Sequence, residues 1–122
     1  KVLCIIYPIF SLYEITALTS TLALSFDVTI DYAASDHSMV VSEDGLPCQP
    51  TKTLDQIRIE EYSCVILPGM VNIGPALQDE KLISFLRDLG EQDILIAAIS
   101  SAPLLLAKAG LLKDTKFTGG IW

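Results

Sequence analysis

Residues Ile94 to Leu112 read ILIAAISSAPLLLAKAGLL, with Lys108 as the single charge. A membrane-spanning helix needs about 20 uninterrupted apolar residues. Here Ser100, Ser101 and Pro103 break the run at its centre, and its β-branched residues are confined to the first part. A buried strand over Ile94–Ile99 that turns sharply into a helix, ending near Ala109 with Gly110 beyond it, accounts for the same letters.

The same alternation runs back through the chain. Val2–Tyr7 (VLCIIY) is a short continuous apolar run closed by Pro8, the pattern of a strand buried on both faces. A helix follows from Ser11, with Leu12, Ile15, Leu18, Leu22 and Phe26 at three- or four-residue spacing. Asp27–Ala33 reads as a second strand and Cys64–Leu67 as a third, ended by Pro68-Gly69. Met39–Val41 and Leu46–Cys48 flank an Asp44-Gly45 hairpin turn. Glu80–Leu89 is helical, with Leu82, Phe85, Leu86 and Leu89 on one face and Gly90 as its stop. Continuous apolar strands alternating with helices imply parallel βαβ crossovers, hence an α/β sandwich of the flavodoxin-like kind with a small hairpin extension. Ligands of such sheets bind at the carboxyl ends of the strands, just after Tyr7, Leu67 and Ile99.

Composition narrows the function. Of 122 residues, 51% are hydrophobic and 19% charged; glycine brings the apolar share to about 57%, above the ~45–50% of ordinary soluble domains. A net charge of −7 and no basic stripe argue against nucleic-acid binding and against attraction to anionic membranes. Cys4, Cys48 and Cys64 are odd in number and form no C-x-x-C pair, and the one histidine, His37, is far from all of them. No zinc-ligand spacing results, no metal or other cofactor is expected, and a reduced, cytoplasmic protein is the economical expectation. The opening run reads as a strand and not as a signal peptide.

Three turns carry potential chemistry. Ile99-Ser100-Ser101-Ala102-Pro103 joins strand to helix with small neighbours, the pattern of a nucleophile elbow that lifts Ser100 out of the sheet. The plainer alternative is a helix N-cap at Ser100 or Ser101, with Pro103 in the permitted first turn. Ser11-Leu12-Tyr13-Glu14 matches S-x-x-E, a capping box in which Glu14 bonds back to the Ser11 N–H. The alternative puts the Glu14 carboxyl at the ligand-binding edge of the sheet. Leu67-Pro68-Gly69-Met70 ends the third strand beside the same crevice. Its glycine permits a turn whose amides point at a ligand, although Pro-Gly is also ordinary loop punctuation.

Taken in order, ILPGM, a helix, and then ILIAAISSAPLLLAKAGLLKDTKFTGG resemble the ThiJ/PfpI family of the class I glutamine-amidotransferase-like superfamily. The YEI segment with Glu14 matches a glutamate the family carries in the helix after its first strand. Departures accompany the match. Ser100 stands where the family has a nucleophilic cysteine, Met70 replaces a second glycine, and the position near residue 120, where some members have a histidine, reads Thr118-Gly119-Gly120. His37, in a polar turn, reads as an exposed loop residue. No complete Ser-His-Asp set can be assembled, and a serine cannot sense oxidation as the family cysteine does. The family domain also continues through another strand and helix, so the resemblance implies that residues 1–122 are one domain lacking part of its C-terminal side.

The resemblance implies an amidase- or protease-like hydrolase acting on C–N bonds of a small molecule or peptide. Ser100 would attack, Glu14 would orient or protonate, and Gly69, Met70 and Ser101 would form the oxyanion hole and binding turn. It implies a homodimer as well. The alternative it offers is a catalytically inactive ligand-sensing or chaperone-like domain, including the sensor part of a transcriptional regulator.

Overall fold

The computed structural model describes residues 1–119. Apolar runs become the inner strands: β1 (Val2–Ile5) is buried along its whole length and β6 (Cys64–Leu67) along all but its first residue. Between them in sequence come α1 (Tyr13–Ser20), prolonged by a π-helical turn over Thr21–Ser25, then β2 (Ile30–Ala34), β3 (Val40–Val41), β4 (Pro47–Cys48) and β5 (Lys52–Thr53). After β6 come α2 (Gly74–Leu77), α3 (Glu80–Leu89), β7 (Leu95–Ala98) and α4 (Pro103–Lys108).

Five strands form one parallel sheet in the order β5-β2-β1-β6-β7, and β3 pairs with β4 in a separate antiparallel hairpin. Cys4 of β1 lies in register with Tyr32 of β2 and Ile66 of β6. The expected flavodoxin-like α/β architecture is therefore present. The chain steps from β1 to β2 in one direction and from β6 to β7 in the other. Right-handed crossovers then place α1 and α3 on opposite faces, and the crevice between the carboxyl ends of β1 and β6 is the topological switch point.

α3 forms as its sequence directs. Asp79 caps it, accepting from the Leu82 N–H at 3.2 Å, and Leu82, Ile83, Leu86 and Leu89 are buried. The hairpin also forms, with Gly45 at φ 88° in its turn.

Other boundaries shift for local reasons. β1 stops at Ile5, although the Ile6 N–H still reaches Ala33 O at 2.8 Å and Tyr7 remains buried. β2 begins at Ile30 and not at Asp27, because Asp27 takes a left-handed φ of 54° and the Val28 N–H folds back onto Leu22 O at 2.9 Å. Ile94–Ile99, expected as a core strand, is pared to β7 at the edge of the described sheet, with Leu95 68% exposed. β5 and α2, of two and four residues, are too short to leave a periodic pattern and were not expected. Among the described residues no helix is long and apolar enough to cross a membrane, and no His/Cys/Asp/Glu group has metal-site geometry.

Candidate active site

Ser100 follows β7 with a left-handed φ of 58°. For an L-residue this conformation is unfavourable by about 1–2 kcal/mol, and the surrounding bonds impose it. The Ile99 N–H is held by Leu67 O at 3.0 Å, the Ala102 N–H returns to Ile99 O at 3.0 Å, and the Leu104 N–H bonds Ser101 O at 3.1 Å as α4 begins. Ser101 and Ala102 are buried, whereas Ser100 is only half-buried. The turn therefore presents Ser100 and tucks its neighbours beneath it. No side chain caps α4, so the simple N-cap alternative for either serine does not hold.

The Pro68–Met70 turn at the end of β6 lies against this elbow. A Cβ built on Gly69 would fall 2.8 Å from Ser100 Cβ and 2.6 Å from Glu14 Oε1. Only glycine admits so close an approach from both sides. The structure thus brings Ser100, Gly69 and Glu14, scattered in sequence, to one point on the switch crevice.

Glu14 reaches that point because the expected capping box does not form. The Ser11 N–H donates to Gly69 O at 2.8 Å and the Ser11 hydroxyl to Glu43 Oε2 at 2.9 Å, so neither is available to α1. Helical hydrogen bonding starts later, Leu12 stands at the cap without a side-chain bond, and Glu14 Oε1 accepts the Gly69 N–H at 3.0 Å. The capping box forms instead at Thr53-Leu54-Asp55-Gln56, where the Thr53 N–H donates to Gln56 Oε1 at 3.0 Å. That signature was equally present in the sequence.

The remaining polar groups of the turn are also engaged. The Met70 N–H donates to Ser101 Oγ at 3.1 Å, and that hydroxyl donates to Met70 O at 3.3 Å. The Val71 N–H meets Ile9 O at 3.3 Å, beside an antiparallel bridge between Phe10 and Met70. Ile9 itself is left-handed, at φ 59°, rare for a β-branched residue and a second point of backbone strain beside the crevice. Sequence reasoning did not single out Ile9, and it offered the Ser101 side chain only as an N-cap; the partners of both become neighbours only on folding.

Groups that could activate Ser100 are sparse. Among the described residues its hydroxyl has no hydrogen-bond partner, while the Ser101 amide N–H at the start of α4 is without an acceptor. His37 lies in an exposed bend after β2, where its carbonyl accepts from Gln49 Nε2 at 2.9 Å. Of Thr118-Gly119-Gly120, where some family members carry a histidine, Gly120 lies outside the described residues. No cysteine stands in for the missing thiol. Cys4 is sealed in β1, where burial pushes its thiol up to about 12, and burial also raises Cys48 and Cys64. Among the described residues, cavities of roughly 180 to 550 Å³ open beside other side chains, such as the one between Leu54, Asp55, Lys81 and Phe85 and the one between Tyr7, Ser35 and Val40.

This geometry agrees with what the chain resembles. The DJ-1/PfpI family model matches residues 1–121. The chain belongs to the DJ-1/PfpI family. It is 28% identical over 114 residues to an isonitrile hydratase of Pseudomonas putida, a match covering 93% of this chain and 49% of that protein. It is 33% identical over 70 residues to DJ-1 protein homolog E of Arabidopsis thaliana, covering 57% of this chain and 18% of that one. The chain therefore spans about half the length, or less, of these two curated DJ-1/PfpI relatives. A DJ-1 superfamily protein of Agrobacterium tumefaciens superposes with a TM-score of 0.86 at 22% identity, over 98% of this chain and 63% of that one. A ThiJ/PfpI family protein of Pseudomonas syringae gives 0.77 at 24%, over 92% and 46%. At these identities the superpositions establish the DJ-1/PfpI fold alone.

Proposed function

We propose that the Ser100 turn is the nucleophile elbow of an amidase- or protease-like hydrolase acting on a small molecule or peptide. The observation that carries this is the left-handed Ser100 held against Gly69 and Glu14 at the switch crevice. In this scheme the Ser100 hydroxyl attacks a carbonyl carbon, its proton passing to a base. Negative charge then develops on the carbonyl oxygen, opposite backbone N–H donors. The Ser101 N–H is one donor. The Met70 N–H becomes the second once the Ser101 hydroxyl turns away from it. Glu14, anchored by the Gly69 amide, orients the substrate or delivers a proton to the leaving nitrogen as the C–N bond breaks. The amine departs, and water then hydrolyses the acyl–Ser100 ester to the carboxylic acid and restores the hydroxyl. The base has to be brought by the remainder of a longer protein or by a second subunit. Exposed apolar residues such as Leu24 and Phe26 suit a homodimer, and three free cysteines suit a reducing cytoplasm.

The test is covalent labelling of the full-length protein with a fluorophosphonate probe, the adduct being located by mass. Labelling at Ser100 is the expected result. No adduct there, under conditions that label a control serine hydrolase, overturns the hydrolase assignment.

Two other functions have specific support. The match to an isonitrile hydratase over 93% of this chain favours hydration at a carbon–nitrogen bond; an aliphatic isonitrile would then give its N-substituted formamide. The engaged Met70 amide, with a Ser100 hydroxyl that has no partner among the described residues, favours a ligand-sensing or chaperone-like domain. For that domain, neither labelling nor turnover is expected.

A further inference from the structure

The peptide unit between Pro68 and Gly69 is gripped at both ends. Its N–H donates to Glu14 Oε1 at 3.0 Å, and its carbonyl accepts the Tyr7 hydroxyl at 2.5 Å. Tyr7 lies just past β1, is 3% exposed, and packs its ring in the core. We infer that Tyr7 is a positioning residue: its phenol fixes the orientation of the Pro68–Gly69 peptide, and through it the Glu14 carboxylate beside Ser100.

A trans peptide is a rigid plane whose N–H and C=O point in opposite directions, so a donor holding the oxygen aims the hydrogen. This particular plane needs holding. Proline fixes its own φ but leaves ψ free, and glycine accepts either sign of φ. A Pro-Gly peptide can therefore turn over, the difference between type I and type II turns. Turned over, it would present a carbonyl oxygen to the Glu14 carboxylate and withdraw the N–H that anchors it. The Tyr7 hydroxyl opposes this from the far side of the plane. By polarising the carbonyl it also strengthens the N–H as a donor. The phenol is suited to the part: burial first, then Cys4 and Glu14, push its ionisation well above the ordinary tyrosine range, so the proton stays on the oxygen.

The proposal deepens the hydrolase assignment and rests on it for its catalytic meaning, so its test has an arm independent of turnover. Tyr7→Phe keeps the ring and removes only the donor. In ¹⁵N-labelled protein, Tyr7→Phe is expected to speed hydrogen exchange of the Gly69 amide about tenfold and to shift its resonance, while the strand amides of Cys4 and Ile66 keep their protection. Glu14→Ala should give the same Gly69 signature from the other end of the peptide, and it serves if Tyr7→Phe folds poorly. An unaltered Gly69 amide in these variants overturns the proposal. So does loss of protection at Gly69 and the strands together, which would make Tyr7 a packing residue. In the second arm, Tyr7→Phe should slow fluorophosphonate labelling of Ser100 about tenfold; an unchanged rate refutes the positioning role. If wild-type protein is not labelled, the hydrolase assignment fails and the exchange arm still decides the role of Tyr7.

Discussion

The Gly69 amide donates to Glu14 Oε1 at 3.0 Å across 55 positions of sequence, and the room for that bond exists because residue 69 has no side chain. A methyl group there would meet the carboxylate at 2.6 Å, Ser100 Cβ at 2.8 Å and Ile99 O at 3.3 Å. The carboxylate ends a flexible chain and can withdraw, losing its bond. Ser100 Cβ and the Ile99 carbonyl are fixed by backbone. Gly69→Ala should therefore destabilise by about 1–3 kcal/mol, the usual cost of overpacking. Urea unfolding should show a lower midpoint at unchanged slope. Adding Glu14→Ala should recover only part of the loss, because the clash with Ser100 remains; full recovery would mean that the elbow yields.

Ser100 sets conformation against chemistry. Its φ of 58° is unfavourable by about 1–2 kcal/mol for an L-residue, and glycine would relieve that while raising the chain entropy lost on folding by about 0.5–1 kcal/mol. Ser100→Gly should be more stable than wild type by roughly 0.5–1 kcal/mol and should lose all fluorophosphonate labelling at this position. Thermal unfolding checks the first outcome and intact mass the second. A less stable Ser100→Gly would show that the hydroxyl supports the fold.

How much of this was legible in the sequence depended on the range of the interaction involved. Val2–Tyr7, Cys64–Leu67 and Glu80–Leu89 carry their structure in local pattern, and each formed close to where it was expected. Ser100, Gly69 and Glu14 could be singled out because each follows a strand at the ligand-binding edge. Their convergence could not be read, since it depends on β1, β6 and β7 lying side by side in register. The same distance effect decides between the two readings of Glu14. The S-x-x-E signature is local, but Ser11 found non-local partners in Gly69 and Glu43, and these prevailed. Tyr7 read only as the last residue of an apolar run. Its hydroxyl acquires meaning from a carbonyl 61 positions away.

Two adjacent serines should respond unequally to the same substitution. Ser101 is 4% exposed, and its hydroxyl serves both backbone polar atoms of Met70, itself 4% exposed. Ser101→Ala leaves these groups buried without a partner, at a cost of about 1–3 kcal/mol. Ser100→Ala removes a half-buried hydroxyl without a partner among the described residues and should change stability by no more than about 0.5 kcal/mol. Parallel urea titrations of the two variants measure the difference. Equal losses would mean that the Met70 amide finds another acceptor when Ser101 is truncated.

At the opposite, amino-terminal edge of the sheet, Asp31 ties together segments distant in sequence. Tyr62 donates to its Oδ2 at 2.5 Å, and the ammonium groups of Lys1 and Lys52 each lie 3.5 Å from the same oxygen. The Tyr62 bond above all, then Lys52 and Lys1, holds the Asp31 carboxyl below its ordinary range, against the opposing effect of burial. The unfolded chain, with Asp31 near the ordinary value of about 3.9, takes up the proton first as pH falls. The contribution of Asp31 is thus complete above that value and fades as pH drops through the lower, folded one. Asp31→Asn should cost on the order of 1 kcal/mol at pH 7, and its deficit relative to wild type should shrink steadily below about pH 4. Urea midpoints of both proteins at pH 7, 5, 4 and 3 give that difference free of the other carboxylates. A deficit that is the same at pH 7 and pH 3 would show that Asp31 acts through its shape and not through its charge.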